Sequence, residues 1–395
     1  MKGTARRVAI TGYDVVSPCG QGRDQFWAGL LGPGLVDVGY AVGIADWDPS
    51  PFYDSPKKAR RADSSEQFAI AAATGAIDQA GDFIADPTRV GTIIGTGVGG
   101  VHTLETQVRN RLERGERRVS PFLVPMMMAN AAGAAISMRF GLRGPNETLA
   151  TACAAGTHAL TYAARLIAWG IVDAVVAGGT EDAATPTAVA GFANMTALSS
   201  SGTSRPFDVD RDGFVMGAGA AIFVLEEWDA AVARGATILG EVLGGASTAD
   251  AHHITAPAPG GIGAIECMSA ALADADLEPS AITQINAHGT STPLNDAAEA
   301  AAITSVFGAR TVPVVSTKGV TGHALGAAGA LEAAAVLSSF EHRQIPPTAN
   351  TQTIDDEIDI DLVINEPRDW TPGPTMSNNF GFGGHNGSII LAPAS

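Results

Sequence analysis

Cys153 lies in the stretch Leu149-Ala-Thr-Ala-Cys-Ala-Ala-Gly-Thr-His-Ala-Leu-Thr-Tyr162, ahead of an alanine-rich helical pattern that runs to about Trp169. Its position puts the sulfur at or near a helix N-terminus, where free N–H groups and the helix dipole favour an anion. A thiol so placed is expected to have its pKa lowered from about 8.5 toward neutrality, giving a usable thiolate nucleophile. Ala152, Ala154, Ala155 and Gly156 leave room around the sulfur. A buried cysteine packing as a small apolar side chain fits this segment as well, so residues further along the chain must decide.

Three later segments carry titratable groups among small residues. In Asn286-Ala-His-Gly-Thr-Ser-Thr-Pro293, His288 leaves a strand end into a loop of hydroxyls. In Ser316-Thr-Lys-Gly-Val-Thr-Gly-His323, Lys318 and His323 stand five apart in a glycine-rich loop that opens an alanine-rich helix. Ser377-Asn-Asn-Phe-Gly-Phe-Gly-Gly-His-Asn-Gly387 is too rich in glycine for regular structure and is bounded by a strand from Ser388 to Leu391. Singly, a loop histidine is an ordinary hydrogen-bonding group, a lysine is solvated and a glycine loop is a turn. Together they occupy strand–turn–helix junctions, where α/β folds hold their ligands.

Gly95-Thr-Gly-Val-Gly-Gly100 matches G-x-G-x-x-G. No strand ending in an acidic residue follows it, and the chain continues as the polar, arginine-rich Gln107 to Arg118. The motif therefore does not read as a dinucleotide site. It reads as a turn that brings backbone close to another element or to a substrate.

The elements that must position these residues form a repeated pattern. Arg6 to Gly12 reads as a first buried strand ending in a glycine turn, followed by a short helix from Asp24 to Leu30. Asp63 caps a helix from Ser64 to Ala80. An acidic loop and a strand, Val90 to Ile94, lead into the glycine turn. A second helix, Ile262 to Asp274, again precedes an acidic loop, a strand (Ile282 to Ala287) and His288-Gly289-Thr290. Further strands are expected at Asp173 to Ala177 and Ile222 to Leu225. The repetition implies an internal duplication with halves at 1–240 and 241–395, the second opening on Ile238 to Leu243. Strand–helix alternation in both halves implies an α/β fold.

The composition narrows the partners. The chain of 395 residues is 46% hydrophobic and carries 24 Lys+Arg against 41 Asp+Glu, a net charge of −17. That charge disfavours nucleic acid. No apolar stretch is long enough to cross a membrane, and the first residues lack a secretory signal's apolar core. Three widely spaced cysteines, Cys19, Cys153 and Cys267, argue for a reducing cytoplasm rather than a disulfide framework.

Thr151-Ala-Cys153, Asn286-Ala-His-Gly-Thr-Ser-Thr292, Thr317-Lys-Gly-Val-Thr-Gly-His323 and Asn379-Phe-Gly-Phe-Gly-Gly384 resemble the signature blocks of the β-ketoacyl-acyl-carrier-protein synthases, in the Cys-His-His elongating branch. The similarity runs nearly end to end. It implies a duplicated thiolase-like fold, a five-layered αβαβα sandwich. The activity implied is decarboxylative condensation of an acyl chain with malonyl-acyl-carrier protein, in fatty-acid or polyketide elongation. Cys153 would hold the acyl chain as a thioester, with the N–H groups of Cys153 and Phe380 as oxyanion hole. His288 and His323 would hydrogen-bond the malonyl carbonyl during decarboxylation. Lys318 and its ion-pair partner Glu332 would orient the site, and Phe380 would gate it. Thr290 and Thr292 match hydroxyls that hold the pantetheine arm. Val98, Leu123 (from a partner subunit) and Phe192 match acyl-pocket positions. The resemblance implies no metal and no bound cofactor, since the substrates travel on the carrier's phosphopantetheine.

Carrier proteins are acidic, and two basic patches can receive one: the family's docking positions match Lys57, Arg60, Arg61, Arg117 and Arg118. Leu31 to Pro56 and Ser199 to Thr203 are shorter than in the housekeeping pattern, and Thr196 stands where a basic docking residue is common. A specialised polyketide ketosynthase thus fits as well as a primary fatty-acid enzyme. The implied assembly is a homodimer or a heterodimer with a chain-length-factor-like homologue. A thiolase would need a second cysteine near Phe380. A Cys-His hydrolase leaves His288, Lys318 and His323 unexplained as a set. A non-catalytic partner subunit would normally lack Cys153.

Overall fold

The structure, a computed structural model, describes residues 5–394; the first four residues of the N-terminal stretch read above lie outside them. In the N-terminal half the principal strands are β1 (Val8–Ser17), β2 (Val90–Gly95), β3 (Asn146–Leu149), β4 (Ala174–Glu181) and β5 (Gly219–Glu227). They lie in the order β3-β2-β4-β5-β1, with β3, β2 and β4 parallel and β5 antiparallel to both neighbours. The C-terminal half supplies β6 (Gly240–Ala249), β7 (Gln284–Asn286), β8 (Pro313–Val315), β9 (Thr375–Gly381) and β10 (His385–Pro393). Their order, β8-β7-β9-β10-β6, repeats the first half strand for strand and direction for direction. β1 and β6 pair antiparallel where the halves meet.

The helices stack on these sheets in layers. α1 (Ser64–Ala80) and α3 (Ala131–Phe140) cover the outer face of the first half, with α2 (Val101–Arg114) between them in sequence. α4 (Ala155–Ala168) and α7 (Ala328–His342) lie in the centre, while α5 (Ile262–Ala275) and α6 (Pro293–Phe307) cover the outer face of the second half. Period-two alternation builds this. Along β5, Ala221, Phe223 and Leu225 enter the central core, whereas Ala220, Ile222 and Val224 enter the outer one. Helix–sheet–helix–sheet–helix is the expected five-layered arrangement. The alanine runs serve it because the central helices are buried on both sides: a Cβ on Gly156 would lie 2.7 Å from the Ala330 nitrogen.

Two expectations change. Gly12 does not end the first strand. It sits inside β1 at a register shift, where a Cβ would meet the Ala76 carbonyl of α1 at 2.1 Å. The glycine-rich segment 377–387 is mostly a hairpin, because β9 and β10 pair with each other and with β7 and β6, leaving only residues 382–384 as turn. Flanking strands satisfy the backbone there, which overrides glycine's weak strand propensity.

Candidate active site

Cys153 sits in a short 3-10 turn, Ala152–Ala154, ahead of α4. Ala152 before it has φ +49°, a left-handed conformation that makes a sharp elbow under the thiol. The thiol is buried, and burial pushes its pKa up to about 11, with the Lys318 charge only partly opposing. This corrects the expectation of a thiolate lowered toward neutrality: the sulfur precedes the first α-helical residue, and desolvation outweighs the helix terminus.

His323 Nε2 lies 3.0 Å from Cys153 Sγ. The His288 ring stands edge-on to that of His323, centroids 5.2 Å apart. One ligand atom from each of Cys153, His288 and His323 falls within 4.8 Å of the others. The loops that carry them start from different strands. His288 follows β7, and His323 follows the Lys318–Thr321 turn after β8. The second half therefore brings both imidazoles to a thiol supplied by the first.

Buried polar groups fix the histidines' protonation. Lys318 Nζ bonds the His288 carbonyl at 2.6 Å, approaches His288 Nδ1 at 3.3 Å and is ion-paired to Glu332. Asn379 Nδ2 donates to Glu332 Oε2 at 2.7 Å and also stands 3.3 Å from His288 Nδ1. Two donors at Nδ1 make it an acceptor, so the imidazole hydrogen is on Nε2. Burial first, then the Lys318 charge, holds His288 and His323 well below the ordinary histidine range, so both are neutral. Glu299 on α6 receives the His288 and Gly289 amides at 2.7 Å each, and Asp296 receives those of Thr290 and Ser291. These two carboxylates and Asn379 were missed in the sequence. Asp296 and Glu299 stand three apart at the start of a helix directly after the histidine loop, a spacing that puts both on one face toward it.

A cavity of about 520 Å³ opens over the thiol, lined among others by Cys153, Phe192, Thr290, Thr292, Phe380 and Phe382. The Thr290 and Thr292 hydroxyls are 2.9 Å apart. Phe380 stands at the end of β9 with its ring centroid 6.2 Å from that of His288. The loop amide that hydrogen-bonds the sulfur is that of Phe382, not that of Phe380 as expected, because Phe380 lies within β9 and is paired with β10. Val98 and Leu123 do not line the cavity. Val98 is 50% exposed and Leu123 only partly buried, because both lie on an uncovered face of the chain. The glycine turn that carries Val98 wraps a protein carboxylate: Glu181, buried, accepts from the amides of Gly97 at 2.5 Å and Gly326 at 3.1 Å. That internal carboxyl group, its pKa pushed up to about 7 by burial, is what the glycine motif cradles.

The chain matches the β-ketoacyl synthase N-terminal domain over residues 33–231 and the C-terminal domain over 239–352. It belongs to the β-ketoacyl synthase family. Among its relatives, 3-oxoacyl-[acyl-carrier-protein] synthase 2 of Synechocystis sp. is 43% identical over 98% of each chain. The enzyme of the same name from Coxiella burnetii is 41% identical over 98% of each. Among solved structures, the ishigamide ketosynthase/chain length factor superposes with TM-score 0.93 at 34% identity, covering 99% of this chain and all of that one. A β-ketoacyl synthase from Burkholderia phymatum gives 0.90 at 32%, with the same coverage. A ketosynthase solved with its type II acyl-carrier protein gives 0.88 at 28%. In this β-ketoacyl synthase the Cys-His-His atoms are close enough to touch one small cation, but the Lys318 ammonium beside His288 opposes one.

Proposed function

We propose that the protein extends an acyl chain by two carbons, using malonyl-acyl-carrier protein and losing carbon dioxide. Cys153 Sγ attacks the thioester of an acyl group on carrier phosphopantetheine while His323 Nε2 takes the thiol proton and passes it to the departing pantetheine sulfur. Backbone N–H groups of Cys153 and Phe382, the latter in place of the Phe380 amide expected from the sequence, hold the tetrahedral oxygen. The malonyl thioester then enters the same cavity, its pantetheine arm along Thr290 and Thr292. His288 donates from Nε2 to its carbonyl, joined by His323 when that ring carries its hydrogen on Nε2. Decarboxylation leaves an enolate held by these neutral donors, and its carbon attacks the acyl-Cys153 carbonyl to give the 3-oxoacyl carrier and free the thiolate. Lys318 and Asn379, both held by Glu332, keep the His288 hydrogen on Nε2, and the 382–384 turn beyond Phe380 gates entry.

The observation that carries this reading is a thiol hydrogen-bonded to one neutral imidazole, with a second imidazole locked by Lys318 to point its hydrogen into the shared cavity. A thiolase needs a second thiol here. Cys267 is instead packed into the outer core and Cys19 against the central one. The test is incubation with malonyl-carrier and a panel of acyl-carriers. Product of two added carbons is expected from the parent and none from Cys153→Ala; condensation by that variant would refute the assignment.

The remaining features support carrier docking and a second subunit. Arg61, exposed, stacks over the Phe122 ring at 4.1 Å, which ties the Lys57–Arg61 patch to the segment that follows the exposed Arg117 and Arg118. Leu104, Val108 and Leu112 form an exposed i, i+4, i+8 stripe on α2, continued by Val98, Val124 and Met128. With the unpaired edge of β3, this face suits a second ketosynthase-like chain, identical or homologous, which would cover Val98 and bring its own Leu123. Among the described residues no helix is long and apolar enough to cross a membrane, and three free cysteines support the cytoplasm as location.

A further inference from the structure

The elbow beneath Cys153 is strained and must be held. Ala152 carries a Cβ in the left-handed region, a conformation that persists only where the surroundings over-determine it. The residue before it, Thr151, has one side-chain hydrogen bond, from its hydroxyl to His158 Nδ1 at 2.8 Å. His158 projects from the first turn of α4 and is itself buried. Its Nε2 lies 2.9 Å from the Asn386 carbonyl in β10, just past the glycine turn that presents the Phe382 amide to the sulfur. A carbonyl only accepts, so Nε2 carries the hydrogen and Nδ1 must accept from Thr151. Both ring nitrogens are thereby committed, each to a segment that contacts Cys153. Gly387 leaves room for the ring, since a Cβ there would stand 3.0 Å from His158. The neighbouring helical residue makes a parallel tie: the Thr157 hydroxyl donates to Asn379 Oδ1 at 2.5 Å, on the other side of the same hairpin.

We propose that His158 is a positioning residue that clamps the Thr151–Ala152 elbow to β10 and so aims Cys153 Sγ at the acyl thioester. The clamp rests on the condensing reading above and adds to it a specific division of labour. His158 serves the acylation half-reaction. The decarboxylation half, which runs on His288 and His323, does not depend on it. Burial, which holds the His158 pKa below its ordinary value, keeps the neutral form that both bonds require.

The test uses the full-length protein and measures two rates separately: transfer of an acyl group from an acyl-carrier to Cys153, and release of carbon dioxide from malonyl-carrier. Thr151→Val and His158→Phe remove the clamp with little change of volume. Because misplacing a reacting atom by an ångström costs on the order of 100-fold, each is expected to slow acylation by about that factor, through kcat rather than KM. Carbon dioxide release is expected to stay within about twofold of the parent, since the interactions that act on malonyl are untouched. Thr151→Ser retains the hydroxyl and restores acylation. Should His158→Phe fail to fold, the Thr151 pair carries the comparison, differing from each other only at an elbow side chain. Equal slowing of both half-reactions, or no slowing of acylation, overturns the clamp alone. A parent protein lacking both half-reactions overturns the condensing reading and the clamp with it.

Discussion

The proton on Cys153 can be located by following alkylation against pH. Burial moves this thiol from an ordinary 9.0 to about 11, a penalty of roughly 3 kcal/mol on the thiolate. At pH 8 the thiolate fraction is then about one in a thousand, against about one in eleven for a cysteine at the ordinary 9.0. Iodoacetamide should therefore label Cys153 on the order of 100-fold more slowly at pH 8 than it labels a free thiol of ordinary pKa. The rate should keep rising about tenfold per pH unit to near pH 11. Peptide mapping separates Cys153 from Cys19, also pushed up to about 11 by burial, and from Cys267, raised for the same reason. A labelling rate for Cys153 that levels off by pH 7 would refute this. It would mean a resting thiolate–imidazolium pair with His323, and His323 would then have no proton to take during acylation.

Three further outcomes follow from the site and its surroundings. Glu332→Gln leaves the Lys318 ammonium buried without its counter-ion and is expected to cost ~3 kcal/mol or more in denaturant unfolding. Lys318→Met should cost less, because burial already raises the Glu332 pKa and its carboxyl can take up a proton; strict additivity in the double variant would argue that the pair is not coupled. Arg117→Glu with Arg118→Glu should raise KM for an acyl-carrier about tenfold at low salt, an effect that shrinks with added salt. Small thioester analogues should be unaffected, and equal effects on both substrates would remove the docking role. In Gly381→Ala the new Cβ would lie 2.9 Å from the Cys153 nitrogen and 3.3 Å from that of Ala154. The elbow or β9 must shift, so condensation should fall by at least about tenfold, whereas Gly43→Ala, open on all sides, should change nothing.

Much of the site was legible because its chemistry is local. Cys153, His288, Lys318 and His323 stand at strand–helix junctions that glycine and small residues mark in the sequence. The capped helix after Asp63 and the strand before the glycine turn were legible for the same reason: Asp63 accepts from the Ser65 amide, and Val90–Gly95 is buried throughout. The glycine-rich hairpin was not, because its backbone is satisfied by β7 and β6, which are distant in sequence. Asn379, Asp296 and Glu299 carry no signal of their own as catalytic supports. They matter only because tertiary folding delivers loop amides and an imidazole to them.

By itself the sequence determined the duplicated α/β pattern and marked Cys153 and the pair of histidines, since alternation, caps and short motifs are encoded by neighbouring residues. The tertiary structure decided the ionisation of the site. A helix start near the cysteine suggests a stabilised thiolate, but enclosure between two half-structures removes the water that would solvate it. Whether a charge survives depends on everything packed around it, and that surrounding is assembled only when residues some 170 positions apart, Cys153 and His323, come within a hydrogen bond of each other.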